Sequence, residues 1–524
     1  MFTAYTADQI RTAERALMAT LPEGTLMRRA ATGLAAVCAA LLPRVYGSRV
    51  VLLVGSGDNG GDALYAGATL TGRGAAVTAV LAGSRAHEAG LAALLAAGGR
   101  ATGHSAAAFS PGGAAAPRHG DALVTHETAV WGGGGDADEA RRAVERADLI
   151  VDGLVGIGAS GALREPYAGL AEAAGRAAAP VVAVDVPSGV DSSTGRVEGA
   201  AIRAAVTVTM GARKTGLLVD PGATLAGRIE LVDIGLGPYL PDPDVTALTR
   251  ASARGLLPRP AAESDKYRRG VVGVAAGSDH YTGAAVLAVG GALNAGAGMV
   301  RYAGPARPAG QVRARWPEAV VTELDAPDVD AVGRVQAWVV GPGLGTGEWA
   351  RELLRRVLAT DVPVLVDADG LNLVARDVSL LRRTAPVLIT PHAGELARLT
   401  GTARGAIEAA PLAHARAAAA ELGVTVLLKG STTVVAEEGT PTWVNGTGTP
   451  WLATGGTGDV LSGVAGSLLA QGLGAREAGA CGAYLHGLAG RIAAAGAPLT
   501  AAGVAEALPA AIRELNEIPA ASQR

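Results

Sequence analysis

The segment Trp451–Gly463, "WLATGGTGDVLSG", sets one carboxylate, Asp459, behind a glycine turn and in front of an apolar run. The pattern predicts a turn feeding a helix of some four turns. Backbone amides at such a helix start point outward with partial positive charge and form a site for an anion. Glycine lets a phosphate come close to that backbone. A carboxylate there suits a general base: it can take a proton from a substrate hydroxyl while the amides stabilise a transferred phosphoryl group. The plain alternative is an acid in the first helical turn that favours the helix dipole, worth under ~1 kcal/mol.

Neighbouring motifs converge on the same chemistry. "VLLKGSTTVVA" reads strand, turn, strand, and its turn amides and hydroxyls at Lys429, Gly430, Ser431, Thr432 and Thr433 can hold a nucleotide phosphate. "VVGPGLGTG" and "VLVDADGLNLV" place Gly343, Asp367 and Asp369 at the ends of predicted strands, where ligands bind in open parallel sheets. "LITPHAGELARLTG" puts His392 between a strand and a helix, as a ligand candidate, whereas His486 in "AYLHGLAG" reads as packed mid-helix. No G-x-x-x-x-G-K-[ST] run is present, which argues against a P-loop site.

In the first half, "VLLVGSGDNGGDALYAG" holds Gly55, Gly57 and Gly60 in a formal dinucleotide fingerprint. The following strand, Val77–Leu81, ends in "AGSR" and lacks the ribose-binding acid, while the loop carries Asp58, Asn59 and Asp62, whose two carboxylates would repel a pyrophosphate. "LIVDGLVGIGASGALREP" places Asp152 at a strand end before a glycine turn from Gly156 to Gly161, and "VVAVDVPSGVDSSTG" does the same for Asp185 and Ser188. Asn59, Asp152 and Ser188 together offer hard oxygens of the type that surrounds a cation. Alternatively, Asp185 and Asp191 shape the turns around Pro187 and Gly189.

Elements must carry these groups, and at 524 residues two domains are expected. Predicted strands fall at Arg49–Val54, Val77–Leu81, Leu149–Val151 and Val181–Val184, with a helix at Asp62–Leu70 and a surface loop at Gly98–Gly135. Further strands are predicted at Val271–Ala275, Ala337–Val340, Val364–Val366, Val387–Ile389, Val424–Leu428 and Thr433–Ala436. Strands alternating with helices indicate α/β folds with largely parallel sheets. The proline-bearing stretch Gly235–Pro260 reads as a linker. The uncharged run Tyr281–Val300 contains five glycines and Asn294, so a packed helix pair is expected rather than a membrane span.

Net charge is −3 and aromatics are 3%, which argues against a nucleic-acid partner. Cys38 and Cys481 are expected as buried reduced thiols. The N-terminal segment carries acids and no apolar core, so it does not read as a secretory signal. A cytoplasmic protein is the expectation.

The segments Asp58–Asp62, Asp152–Ala162 and Asp185–Ser188, within residues 1–235, resemble the NAD(P)H-hydrate epimerases. These are Rossmann-like domains that interconvert the R and S hydrates of reduced nicotinamide cofactors. The family loop usually reads N-N-G-G-D-G; here it is "DNGGDA", with Asp58 and Ala63 as the departures. The resemblance implies a potassium ion on Asn59, Asp152 and Ser188. It also implies a hydrate lined by Asp58, Asn59, Gly60, Gly61, Asp62, Gly156, Ile157, Gly158, Ala159, Ser160, Gly161, Ala162 and Asp185, with Asp185 as proton carrier.

Residues 250–515 resemble the ribokinase-like superfamily, and within it the ADP/ATP-dependent NAD(P)H-hydrate dehydratases. The motifs are "GAAVLAVGGALNAGAGMV", "GPGLG", "DADGLNLV", "TPHAGELARLTG", "LLKGSTT" and "ATGGTGDVLSG". The resemblance implies that Ala284, Gly343, His392 and Asp459 contact the hydrate, that Lys429 to Thr433 and Gly458 contact the nucleotide, and that Mg2+ accompanies it. The family's P-G-A-A and S-H-K elements read "TGAA" and "SDK" here.

Together these resemblances imply an α/β chain: a Rossmann-like α/β/α epimerase domain over residues 1–240, then a ribokinase-like dehydratase domain over 241–524. The expected activity is repair of NADHX and NADPHX: epimerisation of the hydrates, then dehydration of the S form with ADP or ATP. A homo-oligomer without membrane association is expected. The alternatives are a small-molecule kinase with an appended module, and a first domain that binds without catalysing.

Overall fold

The computed structural model describes residues 1–103 and 135–517. Two compact units emerge, one of Ala4–Asp244 and one of Val245–Arg524 joined by Met1–Thr3.

The first unit is built on a seven-stranded sheet in the order Arg100–Gly103, Ala76–Leu81, Arg49–Val54, Leu149–Gly153, Val181–Val184, Val206–Met210, Arg228–Val232. Every neighbouring pair is parallel. Side chains alternate between two cores, as the strand repeat requires. Val50, Leu52 and Val54 meet Leu34, Leu64, Leu70 and Leu91 on one face. Val51 and Leu53 meet Leu170, Ala171 and Ala174 on the other. Burial on both faces explains why these strands read as unbroken apolar runs. The sheet order reverses between Arg49–Val54 and Leu149–Gly153, which opens a crevice at their carboxyl ends.

That crevice corrects one reading. The helix expected from Asp62 begins at Asp58, after an N-cap Gly57, so "DNGG" is its first turn rather than a loop. The stretch Gly98–Gly135 also departs from the expected surface loop. It holds a strand at Arg100–Gly103, and Gly135 opens the helix Gly135–Glu145. Residues 104–134 of it lie outside the described residues.

In the second unit seven strands run parallel in the order Val320–Glu323, Met299–Gly304, Val271–Ala275, Ala337–Val340, Val364–Val366, Val387–Ile389, Thr425–Leu428. Thr433–Ala436 and Thr442–Asn445 continue the sheet antiparallel. The helix Thr457–Ala470 is buried almost throughout, and it packs with Thr282–Asn294. Contact is close enough that a Cβ on Gly463 would lie 2.1 Å from the Ala288 carbonyl oxygen.

Two expectations fail here. Tyr281–Val300 gives one helix, Thr282–Asn294, followed by the strand Met299–Gly304. Gly296, at φ +96°, breaks the helix, and the strand's apolar residues extend beyond the uncharged window. Gly235–Pro260 is more than a linker: Val245–Ala247 pairs with Thr442–Val444, and Thr249 caps the helix Arg250–Leu256. Both elements are too short for periodicity to reveal them. Both cysteines are free and buried. Among the described residues no helix is long and apolar enough to cross a membrane.

Candidate active sites

In the second unit the site begins with the cap of the helix Thr457–Ala470. Gly456 takes a left-handed φ of +89°, and no side chain caps the helix, so its first amides have no side-chain partner at the cap. Asp459 stands half-buried in that first turn. Burial pushes its pKa up to about 7; Asp367, Asp369 and Glu395 add to the rise and Lys429 opposes it.

Asp367 follows the strand Val364–Val366 and is 1% exposed. It accepts from Lys429 Nζ at 2.7 Å and from Ser462 Oγ, one turn beyond Asp459, at 2.7 Å. Lys429 Nζ also lies 3.6 Å from Glu395 Oε2. Burial works to lower the ammonium pKa, but Asp367 and Glu395 outweigh it and the net shift is upward. A Cβ built on Gly458 would sit 3.6 Å from Lys429 Nζ, so this glycine keeps open the space between the ammonium and the helix start.

His392 caps the helix Ala393–Thr400 in a reciprocal box. Its Nδ1 accepts from the Gly394 and Glu395 amides at 2.9 and 3.3 Å, and Glu395 Oε2 accepts from the His392 amide at 2.8 Å. Burial, with Lys429 and Arg398, holds the imidazole pKa below its ordinary range. The Lys429 amide donates to Pro391 at 2.8 Å, which brings the two segments side by side. Gly343, at φ +58°, has its missing Cβ 2.6 Å from Ala284 Cβ, so these two also touch. Thr432 is buried, and Thr433 opens the next strand. His486 is buried, with Nε2 2.9 Å from the Thr457 carbonyl oxygen, and holds the turn from behind.

In the first unit Asp152 and Ser188, both 0% exposed, are locked together. Asp152 accepts from the Ser188 amide at 2.8 Å and hydroxyl at 2.7 Å. Asn59 Nδ2 donates to the Val155 and Val184 carbonyls at 3.1 and 2.6 Å. Ser188 Oγ accepts from the Val155 amide, so all three side chains meet around one segment. A Cβ on Gly156 would lie 2.6 Å from Asn59 Oδ1.

Beside them opens a cavity of about 850 Å³, lined by Asp58, Asn59 and Gly156 to Ala159 and by Asp8, Arg11, Glu14 and Arg15 of the helix Ala7–Met18. Gly60, Gly61, Asp62, Ser160, Gly161, Ala162 and Asp185 are not among its lining residues. Asp185 accepts from the ammonium of Lys214, itself 1% exposed, and from the Met210 amide at 2.9 Å. Its φ of +69° is a strained conformation for a non-glycine residue. Asp62 is 8% exposed, and its Oδ1 has no hydrogen-bond partner among the described residues. Burial, then Asp185, Asp58 and Glu14, push its pKa well above the carboxylate range.

Comparison with known proteins agrees with this division. Residues 23–216 match the family described as YjeF-related protein N-terminus, and residues 272–509 match NAD(P)H-hydrate dehydratase. A Mycobacterium tuberculosis protein named bifunctional NAD(P)H-hydrate repair enzyme Nnr is 46% identical over 484 residues, 91% of either chain. This chain belongs to the bifunctional NAD(P)H-hydrate repair enzymes. A namesake from Salinibacter ruber is 36% identical, over 86% of this chain and 84% of its own. Among solved structures, an ADP/ATP-dependent NAD(P)H-hydrate dehydratase from Bacillus subtilis, co-crystallised with ATP and Mg2+, matches with TM-score 0.46 and 30% identity. It covers 51% of this chain and 97% of its own.

The first unit is therefore the epimerase half of a repair enzyme and the second the dehydratase half. Sequence reasoning missed Lys214 and Glu14 in the epimerase half and Ser462 in the dehydratase half. "MGARKTG" offers Lys214 no motif, and no motif marks Glu14 in the helix Ala7–Met18. Asp367 was visible at its strand end, but its grip on Lys429 was not.

Proposed function

We propose that Asp459 is the base of the dehydratase half. It takes the proton of the ring hydroxyl of the S hydrate, whose oxygen accepts the terminal phosphoryl group of an adenine nucleotide. Phosphate then departs and the ring double bond returns. Phosphorylation converts a poor leaving group into a good one, so a kinase-like site can serve a dehydratase. The observation that carries the reading is a carboxyl with a pKa of about 7 at an uncapped helix start beside the half-buried Lys429. Such a group is a competent base near neutral pH, and the amides with Lys429 receive the phosphoryl charge. Lys429 to Thr433 and Gly458 hold the nucleotide, while Ala284, Gly343 and His392 flank the hydrate.

Among the described residues no three His, Cys, Asp or Glu side chains are grouped to hold a metal ion. Mg2+ would be carried on the nucleotide's phosphate oxygens, where it would neutralise charge. In the epimerase half, Asn59, Asp152 and Ser188 are the residues that would hold potassium. The fit rests on Asp152, a wholly buried carboxyl whose hydrogen bonds come from Ser188 and the Leu154 amide, with no cationic side chain bonded to it among the described residues. A monovalent cation there would supply the missing positive charge.

The test follows the absorbance of the reduced nicotinamide in a mixed R and S hydrate of NADPH, with ADP, Mg2+ and potassium. Recovery of the whole pool faster than spontaneous epimerisation supports both halves. Recovery of the S fraction alone demotes the first unit to a binding module. A stable phosphorylated product, with no reduced nicotinamide regained, would make the second unit a kinase.

A further inference from the structure

The cavity of the epimerase half carries an acid that the family resemblance does not assign. Glu14 lines it together with Asp58, Asn59 and the turn Gly156 to Ala159. Its helix, Ala7–Met18, is fixed at one end by the capping box of Thr6 and Gln9 and along one face by buried Ile10, Ala13 and Leu17. Arg11, one turn before Glu14, donates from its guanidinium to the Ile157 carbonyl at 3.1 Å and so ties the helix to the glycine turn. Glu14 itself has no hydrogen-bond or ion-pair partner among the described residues. Asp62 and Asp185 do not line the cavity, and Asp185 is engaged by Lys214.

We propose that Glu14 is the proton-transfer group of the epimerase half, giving a proton to the C6 hydroxyl of the hydrate and taking it back. The assignment rests on the epimerase reading of this unit. In the forward step Glu14 protonates the hydroxyl oxygen. The C6–O bond breaks, its electron pair leaves with water, and the ring N1 lone pair forms the C6=N1 bond. Water then adds to the opposite face of C6, the C6=N1 pair returns to N1, and the excess proton goes back to Glu14. Nothing is oxidised or reduced, and the only change is the configuration at C6.

The groups that face Glu14 suit an acid. Lys214 ends the strand Arg213–Lys214, Asp185 follows Val181–Val184, Asp58 opens the helix Asp58–Gly72, and Arg11 shares its own helix. Asp62 also feels its charge, and Asp8 and Arg15 share the cavity wall. Burial pushes the Glu14 carboxyl up, Lys214 opposes the shift, and Asp185 and Asp58 add to it. The acid form therefore persists to higher pH than for an exposed glutamate.

The experiment uses the full chain with the R hydrate of NADPH, potassium, Mg2+ and ADP, reading epimerisation in excess of the spontaneous rate. Glu14→Gln should lower the epimerase kcat by about 100-fold, the low end for general acid–base catalysis, with KM changed less than about 3-fold. Dehydration of the S hydrate should not change. The wild-type kcat should fall as pH rises through the Glu14 pKa, and this limb should be absent from Glu14→Gln. A Glu14→Gln epimerase kcat within about 3-fold of wild type overturns the assignment, as does a lower rate that keeps the wild-type pH limb. Should Glu14→Gln fail to fold, Glu14→Asp decides: a shifted limb supports the role and an unchanged one removes it. A wild-type chain that leaves the R hydrate untouched overturns the epimerase reading and the assignment with it.

Discussion

Replacing Asp459 with asparagine should abolish dehydration and at the same time stabilise the protein. The carboxyl is displaced from an ordinary 3.8 to about 7 in the fold. At ~1.4 kcal/mol per pKa unit, ionising it there costs on the order of 4 kcal/mol more than in the unfolded chain. Partial solvent access reduces this to about 2 kcal/mol. Because the folded pKa is the higher one, the cost is absent below the unfolded pKa, grows as pH rises from about 4 to about 7, and is constant above. The neutral amide of the Asp459→Asn variant would carry no such cost. Five of the six tryptophans, Trp316, Trp338, Trp349, Trp443 and Trp451, belong to the dehydratase half, so their fluorescence follows its unfolding in urea. The expected result is a variant more stable by about 2 kcal/mol at pH 8, with the gap closing toward pH 4. Turnover of the S hydrate should fall at least ~100-fold while nucleotide affinity holds. Equal stability at pH 8, or a gain that does not vary with pH, would refute the claim that this carboxylate is held at a cost in the fold. Near-normal turnover would remove it as the base.

The neighbours of Asp459 should move its titration in opposite directions. In the pH profile of S-hydrate dehydration, Asp367→Asn should shift the rising limb near pH 7 downward by about one unit, the effect of removing one nearby like charge at an effective dielectric of ~20, whereas Lys429→Met should shift it upward. Gly156→Ala should push the Asn59 amide away from the Val155 and Val184 carbonyls, since the new Cβ would lie 2.6 Å from Oδ1. Its epimerase rate should drop at least ~10-fold with dehydration unaffected. Asn59→Ala and Asp152→Ala should slow epimerisation and flatten its dependence on potassium concentration; full R-hydrate turnover in both would refute the cation site.

Much of this architecture was legible in the sequence because it is set locally. Arg49–Val54 reads as a buried strand since both its faces are covered, and the glycine turn before Asp459 shows a helix start within a dozen residues. Elements failed to show where their cause was remote. Val245–Ala247 is a strand because Thr442–Val444 lies beside it, nearly 200 residues on. The first turn at Asp58 to Gly61 looked like a loop because glycine has poor intrinsic helix propensity. Packing overrides it there, since a Cβ on Gly60 would lie 2.4 Å from the Gly55 carbonyl oxygen.

By itself, then, the sequence determined which residue types stand at which strand ends and helix starts, and so the chemical class of each half. Tertiary structure alone decided which of them are paired and how deeply they are buried. Asp367 is bound to Lys429 across 62 residues and to Ser462 across 95, and Asp185 to Lys214 across 29. Desolvation and Coulomb energy depend on distance in space, which no spacing along the chain records. The same Asp459 in an exposed turn would titrate as an ordinary carboxylate; burial, with Asp367 nearby and Lys429 opposing, raises its pKa to about 7.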